Sequence, residues 1–392
     1  MNILLFHQHF NTPESGGAIR SYYLATALAR HGHRVTVITS CACPKGSTVR
    51  MEGMEVVYLA IPYDNRFTFA ARIWSFIRFA VAAIRAAKPY RHYDLCYAIS
   101  VPLTVGLCAR WMKWRHGMPY WFEVGDLWPD APIQLGYLRN PLINRVLFAF
   151  ERSTYRKAKG VVALSEPIRE AVQAKVPGCR VEWVPNMADC DFYSPSTRGT
   201  DAEAKYQTGG MFVLSYIGAL GVANGLEYFV DCAAAASKSN LPMRFMVCGD
   251  GAMLDELKRR AALNGLSNIT FTGLLNREAV RDVLRITDAV MISYRPAAIL
   301  ETGCPNKYFD GLAAGKLIVV NFGGWIRKEL EENRCGFYAN PDDPMTLLKG
   351  IEPYFQDRTK LEDAQGRARS LGVARYSRSE ISDRFAALVA GS

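Results

Sequence analysis

The chain has 392 residues, 49% of them apolar and 21% charged. A single hydrophobic core rarely grows past ~250–300 residues, so two domains are expected, and a disordered or fibrous chain is excluded. The net charge is +10, and residues 1–190 hold 23 Lys and Arg against 13 Asp and Glu, so the whole excess lies in the N-terminal half and points to an anionic partner there.

The ten cysteines are scattered, with none of the paired spacing of a zinc site or a disulfide scaffold; Cys41 and Cys43 read as small buried or loop thiols. The chain opens on an apolar strand, NILLF, with no charged-then-apolar leader. A reducing cytoplasmic setting is expected.

In chain order, Asn2 to Phe6 reads as a buried strand. The loop after it carries Gly16 and Gly17 ahead of a helix with Leu24, Ala27, Leu28 and His31 on one face, ended by Gly32. The paired glycines let backbone approach a ligand at the helix N-terminus, and Arg20, one turn in, offers a cation; the dinucleotide fingerprint GxGxxG is absent. His9 is a candidate acceptor contact, weighed against the commoner satisfied structural histidine. Further apolar strands are expected at 34–39, 55–59, 95–99, 120–124, 160–164 and 181–184. Helical segments lie between most of them, which implies a parallel sheet covered on both faces, with ligands at the carboxyl ends of its strands.

Two segments interrupt that alternation. Residues 66–91 mix Phe67, Phe69, Ile73, Trp74, Phe76, Ile77 and Phe79 with Arg66, Arg72, Arg78, Arg85 and Lys88, and no uncharged run approaches the ~20 residues of a spanning helix. The segment reads either as a helix lying in the headgroup layer of an anionic membrane or as an ordinary crossover helix. A second basic and aromatic cluster follows at Arg110 to Arg115. Nucleic acid is not expected, because no recognition motif accompanies either cluster. The loop Gly125-Asp-Leu-Trp-Pro-Asp130 falls at a strand's carboxyl end. Asp126 is the candidate to orient or deprotonate an acceptor hydroxyl, against a helix N-cap, and Trp128 joins the acceptor set with His9 and Gly16.

Val184 to Pro195 reads as an interdomain linker, with the boundary at 190/191. Asp189 and Asp191 form a D-x-D there but lack a third carboxylate, so no metal is expected. A second strand-helix series follows, with glycine turns at Gly218 to Gly221, Gly249 to Gly251 and Gly273, where a nucleotide can lie across the sheet edge. The stretch Ala298 to Asn321 carries Glu301, Gly303 and Cys304 in a loop, a helix from Pro305 or Asn306 to Gly315, and then a strand. The free N–H groups at the start of that helix and its dipole suit a diphosphate. Lys307 stands beside them as a point charge, and Asp310 lies a turn further, placed to accept from a ribose hydroxyl.

These pieces together resemble the retaining glycosyltransferases of family 4. The carriers are Ser15-Gly-Gly17 with Arg20, Gly32 to Thr39, the linker VPNMADCDFYSP, Gly218 to Gly225, Cys248 to Gly251, Ile269 to Gly273, TDAVMISYRP and PNKYFDGLAAGK. Gly125-Asp-Leu-Trp-Pro129 further resembles the branch that adds amino sugars in bacterial surface-polysaccharide assembly. The resemblance implies an α/β chain of the GT-B fold, two Rossmann-like domains with parallel sheets facing a central cleft. Residues 1–190 would bind the acceptor, residues 191–374 the donor, and the terminal helix 375–392 would pack back on the first domain.

It also implies a UDP-sugar donor, a lipid-linked or polysaccharide acceptor, and no metal or other cofactor, at the inner face of the membrane. The donor set would be Gly17, Arg20, Gly218, Gly221, Gly249, Gly251, Leu274, Gly303, Cys304, Asn306, Lys307 and Asp310, with Asp126, Glu301 and Lys307 as the catalytic candidates and Glu301 facing the donor sugar. Two departures stand out. The Arg and Lys that the family carries after the first C-terminal strand are missing from Gly218 to Gly225, and of its paired glutamates the second is Asp310 while the first falls on Thr302, next to Glu301. Lys307, Arg295 or Arg20 would supply the missing charge. A nucleotide-sugar epimerase of the same double fold and a non-catalytic sugar-nucleotide binder are the alternatives.

Overall fold

The computed structural model describes residues 1–391 except 16, 18 and 65. The N-terminal domain is built on eight strands: β1 (Asn2–Phe6), β2 (Arg34–Cys41), β3 (Ser47–Met51), β4 (Met54–Ala60), β5 (Leu95–Ile99), β6 (Tyr120–Val124), β7 (Gly160–Ala163) and β8 (Val181–Trp183). Their order across the sheet is β3-β4-β2-β1-β5-β6-β7-β8. The central strands are buried on both faces, Ile3, Leu4, Leu5 and Phe6 all reaching 0% exposure. A continuous apolar run therefore identifies them where alternation would not. All pairings are parallel except β3 with β4.

β3 is the strand that sequence reading passes over. It forms the exposed edge, its pattern STVRM puts only Val49 and Met51 on one apolar face, too short a run to read as a strand, and its hairpin with β4 alone holds it.

The second domain carries β9 (Phe212–Ile217), β10 (Met243–Cys248), β11 (Ile269–Gly273), β12 (Ala289–Ile292), β13 (Leu317–Val320) and β14 (Gly336–Tyr338). This all-parallel sheet has the order β11-β10-β9-β12-β13-β14. In both sheets the order reverses beside the first strand, at β1/β5 and at β9/β12. Such a switch point splays the connecting loops apart and leaves a crevice at the carboxyl ends.

Two chain crossings join the domains and touch one another. Ala188 N–H donates to Tyr376 O at 2.7 Å, and Arg378 N–H donates to Ala188 O at 3.1 Å. After the second crossing, the helix Arg378–Ala390 lies on the helix Arg20–Arg30 and buries Ile381, Phe385, Ala386 and Val389 in the first domain's core. Phe385 meets Tyr97 edge-on at 4.9 Å. The domains also interlock through the turn Ala298–Thr302, whose Ile299 enters the N-terminal core while Ser165 Oγ donates to Thr302 O at 2.6 Å.

Candidate active site

A cleft of about 990 Å³ runs between the two sheet edges and is lined from both domains. On the C-terminal wall, the turns after β9 and β10 press together. Gly218 N–H donates to Cys248 O at 2.9 Å, and a Cβ on Gly249, whose φ is +150°, would lie 1.9 Å from Gly218 O. Only glycine allows that approach, and the two turns present bare backbone to the cleft at Gly218 and Gly249, which forms its floor.

Lys307 rises through this floor. Its Nζ donates to Tyr216 Oη at 2.6 Å and lies 3.4 Å from Asn224 Oδ1. A Cβ on Gly218 would lie 3.4 Å from the same Nζ. The ammonium therefore sits beneath the turn in which the family's own cations are missing. Burial pushes its pKa down to about 7.

Lys307 is the second residue of the helix Asn306–Ala313, which starts after Pro305 with no side chain capping it. Its first N–H groups and the positive end of its dipole thus remain for a ligand anion. Asp310, one turn on, lines the same cleft, and burial raises its pKa to about 7, opposed by Arg277. Leu274 projects from the loop after β11 with 81% of its surface exposed at the cleft edge.

The N-terminal wall is different in kind. His9 packs on Tyr63 with ring centroids 4.3 Å apart, and burial lowers its pKa to about 4, so it is neutral at ordinary pH. Asp126 is open to the cleft, and the protein walls around it raise its pKa. Its charge adds to burial in raising the pKa values of Tyr294 and Cys304 of the other domain.

Of the expected site residues, His9, Gly17, Arg20, Asp126, Gly218, Gly249, Leu274, Asn306, Lys307 and Asp310 line this cleft together. Gly16 lies outside the described residues. Several others are placed elsewhere. Arg20 reaches the cleft, but its guanidinium is spent: it forms a two-pronged ion pair with Glu123 at 3.0 and 3.1 Å and donates to Pro185 O and Val184 O. It also opens its helix rather than lying a turn in.

Glu301, expected to face the donor sugar, is turned against Gly323, at the start of the helix Gly324–Asn333, because its turn is anchored by Ile299 in the opposite core. Gly303 O accepts from Trp325 Nε1 at 2.9 Å, and Cys304 is tied to Asn186 of the linker. Gly221 starts the short turn Val222–Asn224, and Gly251 packs on the Leu220 backbone. Trp128, expected at the acceptor, packs edge-on to Phe76 in the N-terminal core.

Sequence reading missed a charged cluster at the hinge side of the cleft. Asp189, from the first crossing, accepts from Arg277 and Tyr23 Oη and forms an ion pair with Arg378 at 3.3 Å, and all four residues line the cleft. Arg277 stacks on Phe192 at 3.8 Å. The D-x-D pattern made Asp189 visible, with no metal expected there, but its arginine partners leave no trace in local sequence. Among the described residues no group of three or more His, Cys, Asp or Glu could hold a metal ion.

Comparison with known proteins agrees with this architecture. Residues 15–187 match a glycosyl transferase 4-like domain, and residues 212–357 match the glycosyl transferases group 1. An alpha-D-kanosaminyltransferase of Streptomyces kanamyceticus is 23% identical over 243 residues, 61% of this chain and 62% of that protein, so the chain spans about three fifths of that relative. The O-antigen chain mannosyltransferase C of Escherichia coli is 40% identical over 63 residues, 16% of each chain.

Among solved structures, a sucrose-phosphate synthase from Thermosynechococcus elongatus aligns over 100% of this chain and 98% of its own, with a TM-score of 0.78 and 16% identity. Anabaena Alr3699/HepE in complex with UDP-glucose aligns over 100% of both chains, with a TM-score of 0.73 and 17% identity. With both of its domains matched and its two sheets opposed over a shared cleft, the chain belongs to the GT-B glycosyltransferases of family 4.

Proposed function

We propose that this protein transfers a sugar, with retention of anomeric configuration, from a UDP-sugar to a hydroxyl of a lipid-linked or polysaccharide acceptor in the assembly of a bacterial surface glycan. The sugar is of the hexosyl or N-acetylhexosaminyl type, in the amino-sugar branch suggested by Gly125 to Pro129. The protein works without a metal, in the cytoplasm, at the inner face of the membrane. The observation that carries this reading is Lys307, an ammonium held by neutral partners under the Gly218 turn and beside an uncapped helix start. The kanosaminyltransferase and O-antigen mannosyltransferase relatives support the class of product, and the UDP-glucose complex of HepE supports the donor.

In this reading the diphosphate lies on the first N–H groups of the helix Asn306–Ala313 against Lys307, and Asp310 accepts from a ribose hydroxyl. As the bond from the anomeric carbon to the phosphate oxygen breaks, negative charge grows on the diphosphate, where preorganised donors help most. Asp126 holds the acceptor hydroxyl. The new bond forms on the face the diphosphate leaves, and the acceptor's proton ends on the departing phosphate oxygen. Enclosure between the two walls keeps water from the donor.

Incubating the protein with UDP-sugars, with and without a bacterial lipid extract and with and without EDTA, tests this. UDP release that needs the extract and survives EDTA is expected. Acceptor-free conversion of one UDP-sugar into another identifies an epimerase instead, no turnover identifies a binder, and abolition by EDTA rejects the metal-free mechanism.

A further inference from the structure

The strongest unexplained surface lies on the N-terminal domain, where three neighbouring helices turn apolar side chains outward. These are Phe69–Ala86, Val105–His116 and Pro141–Lys157. Trp114 is 75% exposed, Leu142 73%, Val146 67% and Trp74 62%. Large apolar side chains gathered on neighbouring elements mark an interaction surface, whereas single ones do not.

The helices pack side by side. Thr104 Oγ1 donates to Phe76 O at 3.3 Å, and Cys108 Sγ lies 3.6 Å from Ala80 O. On the other flank, Arg110 sits 5.0 Å over the Phe150 ring, and Lys113 Nζ donates to Lys157 O at 2.6 Å. Phe69 stacks on Tyr137 at 5.4 Å, which joins the start of the first helix to the loop before the third.

Among these apolar side chains stand the exposed cations Arg78, Arg85, Lys113, Arg115, Arg145 and Arg152. The three helices contain a single acid, Glu151, and it is buried with Lys175 and Tyr155.

We propose that this three-helix face is a docking platform for an anionic bilayer, with Trp74, Trp114, Leu142 and Val146 entering the headgroup layer and the cations meeting lipid phosphates. The proposal deepens the membrane-face placement given above and rests on it. Charge and apolarity together select the occupant. A second copy would set cations against cations across a self-complementary contact. A nucleic acid would neutralise the arginines but leave Leu142 and Val146 desolvated against sugar and phosphate. An anionic headgroup layer satisfies both, and tryptophan suits that boundary because one part of its ring system is apolar and one part polar. No described helix is long and apolar enough to cross a membrane, so the contact is interfacial. Tyr63, which lines the cleft, stacks at 5.6 Å on Phe76 of the first of these helices. The platform therefore borders the acceptor side, and an acceptor carried on a lipid reaches the cleft without leaving the bilayer.

The test is co-sedimentation of the full chain with vesicles of equal parts phosphatidylglycerol and phosphatidylcholine, against phosphatidylcholine alone. Binding that requires the anionic lipid and falls in high salt is expected. Leu142→Asp with Val146→Asp should weaken it about tenfold or more, and Trp114→Ala by about threefold. UDP affinity in solution should be unchanged in these variants, which separates failure of the platform from failure of the donor reading. Arg145→Gln with Arg152→Gln, which leaves the helix packing intact, repeats the test if the aspartates disturb folding. Equal partition of variant and wild-type protein, binding indifferent to lipid charge, or a solution dimer that the aspartates dissociate would each overturn the proposal.

Discussion

Arg20 and Lys307 reach the same cleft from opposite domains, yet their electrical surroundings differ. Arg20 is 9% exposed and clasped by the carboxylate of Glu123, which also accepts from Tyr97 Oη at 2.5 Å. Its two remaining bonds go to linker carbonyls at Val184 and Pro185. Its charge is cancelled, and it holds the N-terminal domain to the crossing. Lys307 has neutral partners, a phenol and an amide oxygen, and among the described residues forms no ion pair. Without a counter-ion, the buried lysine gives up its proton easily, and an anion arriving beside it favours the charged form. The comparison shows that the availability of a cation depends on its partners as much as on its position beside a cleft.

The comparison can be broken most forcefully on the Arg20 side. Glu123→Gln leaves a buried guanidinium uncompensated, and stability should fall by roughly 3–5 kcal/mol. A urea-unfolding midpoint close to wild type would mean that the pair is not the tie described. UDP affinity of the folded variant should change little.

On the other side, Lys307→Ala should reduce UDP affinity by about 1.5–3 kcal/mol, the range for hydrogen bonds to charged groups, while stability holds or rises because an awkwardly buried ammonium is removed. Calorimetry showing unchanged affinity would take the diphosphate away from this wall.

The smallest effect sharpens the same point. With a pKa of about 7, the free lysine is mostly neutral at pH 8, and a diphosphate beside it raises that pKa. UDP binding at pH 8 should therefore take up a fraction of a proton, seen as a dependence of binding heat on buffer ionisation enthalpy, and Lys307→Met should abolish it. The same depression has a stability consequence. Between about pH 7 and ~10.5 the unfolded chain holds this proton more tightly than the folded one, so the lysine's unfavourable contribution fades as pH rises through that window. An uptake unaffected by the substitution would assign the titration to another group.

Much of this was legible before any tertiary structure. The strands β1, β2, β5, β6 and β9 announce themselves as short apolar runs, and the helix starting at Asn306 is marked by Pro305 before it and Gly315 after it. Local burial and local backbone chemistry determine such elements, so a short window of sequence contains the information. The glycine turns at Gly218 and Gly249 were visible for the same reason. Glu301 and Trp128 were misplaced because both sit on the correct loops at strand ends, and a loop's position does not reveal which way its side chains turn. Ile299, anchored in the other domain's core, decides the orientation of Glu301, and packing against Phe76 decides that of Trp128.

The amino-acid sequence by itself determined the two-domain α/β plan, the edges at which ligands can lie, and the positive excess of the N-terminal half, because propensity, periodicity and composition are properties of neighbours along the chain. Tertiary structure alone decided which charges are cancelled and which remain available. Arg20 finds Glu123 across 103 residues, and Lys307 finds Tyr216 across 91. The physical reason is that electrostatic pairing depends on distance in space and on exclusion of water, and folding sets both.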